Sequence, residues 1–269
     1  MPRFIKVTRN GHILEIVLDR PPANAITPEL GAELHQAFCE LRDDPELRVA
    51  ILTGAGDRIF CAGWDLKQVA LHDDAGAAND ATMNTPGGFA GFTEMWDIHK
   101  PIIVAINGFA VGGGFEIALA ADIVLAAEEA EFMLPEMQRG FVPDAGAVQR
   151  LPRKFPYNVA VELMLTGRKI SAHEAERWGF VNFVVPRDEL MPRARSIATT
   201  IAEGAPLAVR ALLEALTAIA ELPLPDAFAK LKRGKSGLPH YERMMTSEDF
   251  LEGPRAFAEK RKPVWKGRA

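Results

Sequence analysis

Hydrophobic and polar positions alternate at the start of the chain. Phe4 to Thr8 and Ile13 to Leu18 read as strands, and Asn10-Gly11 between them is a hairpin-turn signal. Arg20-Pro21-Pro22-Ala23-Asn24 breaks the alternation, because proline removes a backbone donor and fixes φ. Thr27-Pro28 marks a helix start, with threonine as the cap and proline in the first turn. Leu30, Leu34, Phe38 and Leu41 follow at helical spacing. Val49 to Thr53, Ile102 to Ile106 and Asp122 to Ala126 are short apolar runs that predict buried strands. The helical or loop segments between them predict βα units and a mostly parallel sheet. From Lys67 to Lys100 the pattern is irregular, with Asp73-Asp74, Gly76, Asn79-Asp80 and Pro86-Gly87-Gly88. Long loops of this kind in compact domains are mobile or functional. Ser171 with Glu174 forms a capping-box pattern, and Gly179 suits the end of that helix. Pro186 to Glu203, Pro206 to Leu222, Pro225 to Lys232 and Ser247 to Lys260 read as further helices. The pattern therefore predicts an α/β core over residues 1–185 and a helical region over 186–269, with no linker that would separate them.

Composition narrows the class. The chain has 269 residues, 48 % of them apolar and 25 % charged, enough for a sizeable core without cross-links. Its two cysteines, Cys39 and Cys61, rule out a disulfide framework and point to a reducing, cytoplasmic setting. The net charge of −5 argues against a general nucleic-acid binder. No apolar run approaches the roughly 20 residues of a membrane helix, and Met1 to Lys6 lacks a secretory pattern. Gly112-Gly113-Gly114 is not the G-x-G-x-x-G of dinucleotide folds, and Gly234-Lys235-Ser236 has Ala229 where a phosphate loop needs glycine. The six histidines are scattered, without H-E-x-x-H, so no metal site is expected. Cys61 reads as a small buried thiol rather than a nucleophile.

Three local features carry the candidate chemistry. Phe60-Cys61-Ala62-Gly63-Trp64-Asp65-Leu66 follows one predicted strand, and Asn107 through Gly112-Gly113-Gly114-Phe115-Glu116 follows the next. The glycine run leads into a helix starting near Gly113, whose first amides have no intrahelical partner and favour negative charge. Phe132-Met133-Leu134-Pro135-Glu136 sets a carboxylate in an apolar stretch after the third strand. A glycine turn, or either glutamate alone, is compatible with a purely structural role. Together, amide-rich turns and two carboxylates beyond strand ends of one sheet make a kit for chemistry at a carbonyl.

These motifs resemble the crotonase, or enoyl-CoA hydratase/isomerase, superfamily, and the likeness runs from Leu18-Asp19-Arg20-Pro21 to Glu259-Lys260-Arg261. Ala62-Gly63-Trp64-Asp65-Leu66, Gly112-Gly113-Gly114-Phe115-Glu116 and Leu134-Pro135-Glu136 with Gly140-Phe141-Val142-Pro143 match its three signature segments. The resemblance implies a crotonase-like spiral of repeated ββα units with a C-terminal helical trimerisation region, as a homo-trimer or dimer of trimers. It implies an acyl-CoA substrate, with CoA as part of that substrate and no separate cofactor. It also implies an oxyanion hole from the amides of Ala62 and Gly113, and acid/base roles for Glu116 and Glu136. A pair of glutamates favours hydration or dehydration over isomerisation. Pro22, Ala23, Ala25, Trp64, Asp65 and Leu66 fall where the family lines its CoA cleft.

The acyl group is addressed by aromatic residues and one extra carboxylate. Family hydratases usually carry a small residue at the position of Trp64 and glycine at that of Asp144. Trp64, Phe89, Phe92 and Trp96 with Asp144 would suit a trimethylammonium group, which aromatic faces attract. Alternatively, Phe92 and Trp96, four apart, are a helix face packed on the core. Gly63 to Lys67, Pro86 to Gly91, Val142-Pro143-Asp144 and the stretch Glu252 to Arg268 resemble the subclass that interconverts crotonobetainyl-CoA and carnitinyl-CoA. A general short-chain enoyl-CoA hydratase or isomerase, a dehalogenase-like enzyme with Asp144 as nucleophile, and a non-catalytic RNA-binding relative stay open as alternatives.

Overall fold

The computed structural model describes residues 2–71 and 85–268. The part of the Lys67–Lys100 segment between 72 and 84 lies outside the described residues. Strands β1 (Ile5–Asn10) and β2 (Ile13–Leu18) form an antiparallel hairpin. Asn10 pairs with Ile13, so the loop is Gly11-His12 rather than Asn10-Gly11. Gly11 has φ +59°, the left-handed conformation that a two-residue turn uses. Helix α1 (Pro28–Asp43) begins as expected, with the Thr27 hydroxyl accepting from the Leu30 amide.

Strands β3 (Val49–Gly54), β5 (Ile102–Ile106), β7 (Ile123–Ala127) and β10 (Phe183–Val185) extend the hairpin into a six-stranded sheet of order β1-β2-β3-β5-β7-β10, parallel from β2 onward. Its apolar runs are continuous because both faces are buried. On one face, Val49, Ile51, Ile103, Ala105, Leu125 and Ala127 meet Leu190, Ala194, Ala198 and Ala202 of a long helix, Arg187–Ala202. On the other, Ala50, Leu52, Val104, Ile106, Val124 and Ala126 join the main core with Leu30, Leu34, Phe38 and Leu41 of α1.

A second sheet has the order β4-β6-β8-β9, built from β4 (Ile59–Cys61), β6 (Phe109–Val111), β8 (Glu131–Met133) and β9 (Ile170–Ser171). These strands are two or three residues long, too short for a readable alternation. Because β4, β6 and β8 are parallel neighbours, the turns that follow them lie side by side. The signature segments thus leave the second sheet, not the strands of the first sheet from which the sequence suggested they depart.

The remaining helices, numbered in chain order with that long helix as α7, are α2 (Leu66–Val69), α3 (Gly113–Leu119), α4 (Ala147–Lys154), α5 (Tyr157–Thr166), α6 (Ala172–Arg177), α8 (Pro206–Ile219), α9 (Leu224–Lys230), α10 (Pro239–Thr246) and α11 (Glu248–Ala258). The Ser171 hydroxyl accepts from the Glu174 amide at the start of α6, but the Glu174 side chain turns to Arg168 instead of closing the box. Among the described residues, no helix is long and apolar enough to cross a membrane.

Candidate active site

The three turns enclose a cavity of about 210 Å³. Ala62, Trp64 and Leu66 line it from the first turn, Gly112, Gly113 and Glu116 from the second, and Glu136 from the third. Asp144 and Phe141 complete it from the loop after Glu136, and Phe89 from the segment before β5.

Glycine permits this assembly. Gly63 has φ +79°, and a methyl group on it would come within 2.7 Å of the Gly113 nitrogen. Gly112 has φ +55°, and a methyl group there would meet Glu136 Oε1 at 2.5 Å. Only residues without Cβ let the first turn approach the amide at the start of α3, and let Glu136 lie against that same start.

Both glutamates are buried, Glu116 to 3 % exposure and Glu136 to 5 %. Glu116 sits on α3 and accepts from the Ala147 amide at 3.0 Å. Burial raises its pKa to about 8, against that hydrogen bond, and the charges of Glu136 and Asp144 push the same way. Burial likewise raises Glu136 to about 7, with Asp144 adding to the rise. Glu136 Oε2 is buried without a hydrogen-bond partner among the described residues, and Glu136 is one of the residues that line the cavity. Two carboxyls poised near neutrality suit proton transfer in both directions.

The Ala62 amide, expected as an oxyanion donor, is engaged within the protein. The Ala62 N–H donates to the Ala23 carbonyl at 3.0 Å. The residue-level reason is a short ribbon in which Ile26 bridges Trp64. The Ile26 N–H donates to the Gly63 carbonyl and the Asp65 N–H to the Ile26 carbonyl. Amides alternate sides along such a ribbon, so the Trp64 amide points away from Ile26. Gly113, by contrast, stands at the first position of α3, as expected.

The CoA-cleft residues divide. Trp64 and Leu66 line the cavity, whereas Pro22, Ala23, Ala25 and Asp65 do not; the last three buttress it. The Ala25 carbonyl accepts from Arg20, whose guanidinium also pairs with Asp65 at 2.7 Å. Asp65 in turn caps α2 through the Lys67 amide.

The acyl-pocket residues divide too. Trp64, Phe89 and Asp144 are brought together, but Phe92 and Trp96 are not among the lining residues. Phe92 is buried and stacks on Phe38, with ring centroids 4.3 Å apart, as a core residue. Trp96 is 66 % exposed, with the Arg150 guanidinium over its ring. The third aromatic wall is instead Phe141, edge-on to Trp64 at 6.2 Å. Phe141 lies within the Gly140-Phe141-Val142-Pro143 segment, which was the available signal in the sequence. Cys61 is fully enclosed and burial pushes its thiol up to about 12, so it is inert as a nucleophile.

Comparison with known proteins agrees with this geometry. Residues 8–268 match the family model described as enoyl-CoA hydratase/isomerase. Proteins named carnitinyl-CoA dehydratase from Salmonella paratyphi A and Salmonella typhi are each 53 % identical over 268 residues, covering 100 % of both chains. The crystal structure of enoyl-CoA hydratase from Bacillus anthracis has a TM-score of 0.89 at 38 % identity, covering 99 % of this chain and 100 % of that one. That of enoyl-CoA hydratase from Mycobacterium tuberculosis has a TM-score of 0.87 at 36 % identity, with the same coverage. Parallel turns that gather two buried glutamates beside a glycine-led helix, and relatives aligned along the whole chain, place this protein in the enoyl-CoA hydratase/isomerase family.

Proposed function

We propose that this protein interconverts crotonobetainyl-CoA and carnitinyl-CoA by adding and removing water. The observation that carries the reaction type is the pair Glu116 and Glu136, buried in one cavity with pKa values raised to about 8 and about 7. Near neutral pH such a pair holds about one proton between its members. In hydration, an ionised carboxylate takes a proton from water as its oxygen attacks Cβ. The protonated carboxyl delivers its proton to Cα, and the proton taken from water stays on the other carboxyl, so the pair still holds one proton and the net change is addition of the elements of water. The negative charge that develops on the thioester oxygen is held by the Gly113 amide at the start of α3. CoA enters as part of the substrate, and no step calls for a metal or a separate cofactor.

The substrate reading is supported by the relatives named carnitinyl-CoA dehydratase and by the chemistry of the walls. A trimethylammonium group has no hydrogen to donate, so aromatic faces and a diffuse counter-charge are what can hold it. Trp64, Phe89 and Phe141 supply the faces, and Asp144 the charge. The protein acts in the cytoplasm as a homo-trimer or dimer of trimers; Leu212 and Leu216 on α8, and Phe228 on α9, are exposed apolar residues suited to such contacts. The deciding assay measures kcat/KM for crotonobetainyl-CoA and crotonyl-CoA with the same preparation. A preference for crotonobetainyl-CoA is expected. A preference for crotonyl-CoA would replace this reading with a general short-chain hydratase.

A further inference from the structure

Three side chains far apart in sequence meet outside the cavity. His99 lies in the segment entering β5, Glu214 on α8 and His240 on α10. One donor atom from each stands within 4.8 Å of the other two. The imidazole rings approach to 4.8 Å between centroids at 67°. Glu214 is buried, and its Oε2 accepts from the Tyr241 amide at 2.9 Å, which orients the carboxylate and leaves Oε1 for another partner. Neither imidazole has a hydrogen bond, and Glu214 forms no ion pair, among the described residues.

We infer that His99, Glu214 and His240 form a binding site for a divalent transition-metal ion of the zinc class. Two imidazole nitrogens and one carboxylate oxygen are a donor set such ions accept, with water in the fourth position. Bond lengths of about 2.0–2.2 Å in a tetrahedral site put donors about 3.3–3.5 Å apart, so loading draws the triangle inward by roughly an ångström. Two half-buried rings can make that adjustment by small rotations. A donor set with two imidazole nitrogens and a single carboxylate disfavours hard ions such as Ca²⁺ and Mg²⁺, which take oxygen ligands. The ion would clamp α8 and α10 of the C-terminal region to the lead-in of β5 in the core. The site shares no residue with the catalytic cavity, so it stands independently of the proposed reaction.

The test uses the full chain, stripped with a chelator and titrated with Zn²⁺ against a competing chromophoric chelator. One Zn²⁺ per chain is expected, with His99→Ala and His240→Ala each weakening it at least about 30-fold, as loss of a ligand does. His173→Ala is the control, because His173 lies on the surface, paired with Glu176 at 3.7 Å. Excess Zn²⁺ should raise the melting temperature by about 5 °C at a hundredfold excess over Kd, and this gain should vanish in the two variants. Co²⁺ loading of the wild type should give the strong visible bands of a four-coordinate site, which decides the matter even if a variant fails to fold. Absence of saturable binding, a six-coordinate Co²⁺ spectrum, or undiminished binding in a folded His99→Ala/His240→Ala double variant would overturn the assignment.

Discussion

Glu116 and Glu136 owe their chemistry to what surrounds them. The ordinary pKa of 4.5 rises to about 8 and about 7, with burial the first cause at each. Glu116→Gln and Glu136→Gln should each keep CoA-ester binding and lower turnover by roughly 10²-fold or more, the size of a lost general acid or base; near-normal turnover in either would remove that residue from the mechanism. Activity should pass through a maximum between about pH 7 and 8, where the pair holds one proton. Stability carries the opposite mark of the same burial. Below about pH 4.5 the folded and unfolded chains both keep these protons; as pH rises towards 8 the unfolded chain releases them first, so native stability falls across that window. Calorimetry should therefore find Glu116→Gln more stable than wild type at pH 8.5 by a few kcal/mol, with the advantage gone at pH 4.5. The acyl-pocket residues belong to this scale as well. Trp64→Ala, Phe141→Ala and Asp144→Gly should each lower the preference for crotonobetainyl-CoA over crotonyl-CoA by at least about tenfold, or 1.4 kcal/mol. A parallel loss of both activities would sink the cation cage.

Between elements, the critical contact is the approach of the β4 turn to the start of α3. Gly63→Ala places a methyl group 2.7 Å from the Gly113 nitrogen at a φ of +79°, so the two turns must separate. Turnover should drop by about 10²-fold while the chain stays folded, because misplacing donors by about 1 Å is enough for that loss; circular dichroism with steady-state kinetics checks both halves. Gly113→Pro is a poorer probe, since any Cβ there would lie 2.3 Å from the Phe89 ring. Phe92 offers the contrast. Buried against Phe38 on α1, it should cost about 3–5 kcal/mol of stability on truncation to alanine and leave the substrate ratio unchanged. The sequence allowed both roles for Phe92, because helical spacing to Trp96 says that two side chains share a face and not what that face meets.

For the whole molecule, α7 joins the C-terminal region to the core by packing on the parallel sheet, whereas later helices keep apolar side chains in solvent. Leu212, Leu216 and Phe228 are 57 %, 52 % and 71 % exposed in the single chain. If these cover one another between subunits, a Leu216→Glu/Phe228→Glu double variant should lose the proposed trimer, read as a shift towards monomer mass in light scattering. An unchanged mass would move the interface elsewhere. A buried charge without a partner is the physical cause of the expected loss.

The sequence by itself determined what short-range physics controls. Alternation and apolar runs specify five of the six strands of the first sheet (all but β10), Thr27 and Ser171 specify helix starts through local hydrogen bonds, and the glycine-glutamate segments are recognisable as units. Tertiary structure decided what depends on partners distant along the chain. Strands of two or three residues exist only because neighbours pair with them, so the second sheet that aligns the active-site turns was invisible. The same holds for the Ala62 amide, whose acceptor is Ala23, and for Phe141, which becomes a cavity wall by facing Trp64. His99, Glu214 and His240 lie in three separate segments, and only packing of α8 and α10 against the lead-in to β5 brings their donor atoms together. Local pattern reports the conformation a segment prefers; which polar group or ring it meets is set by closure of the chain on itself.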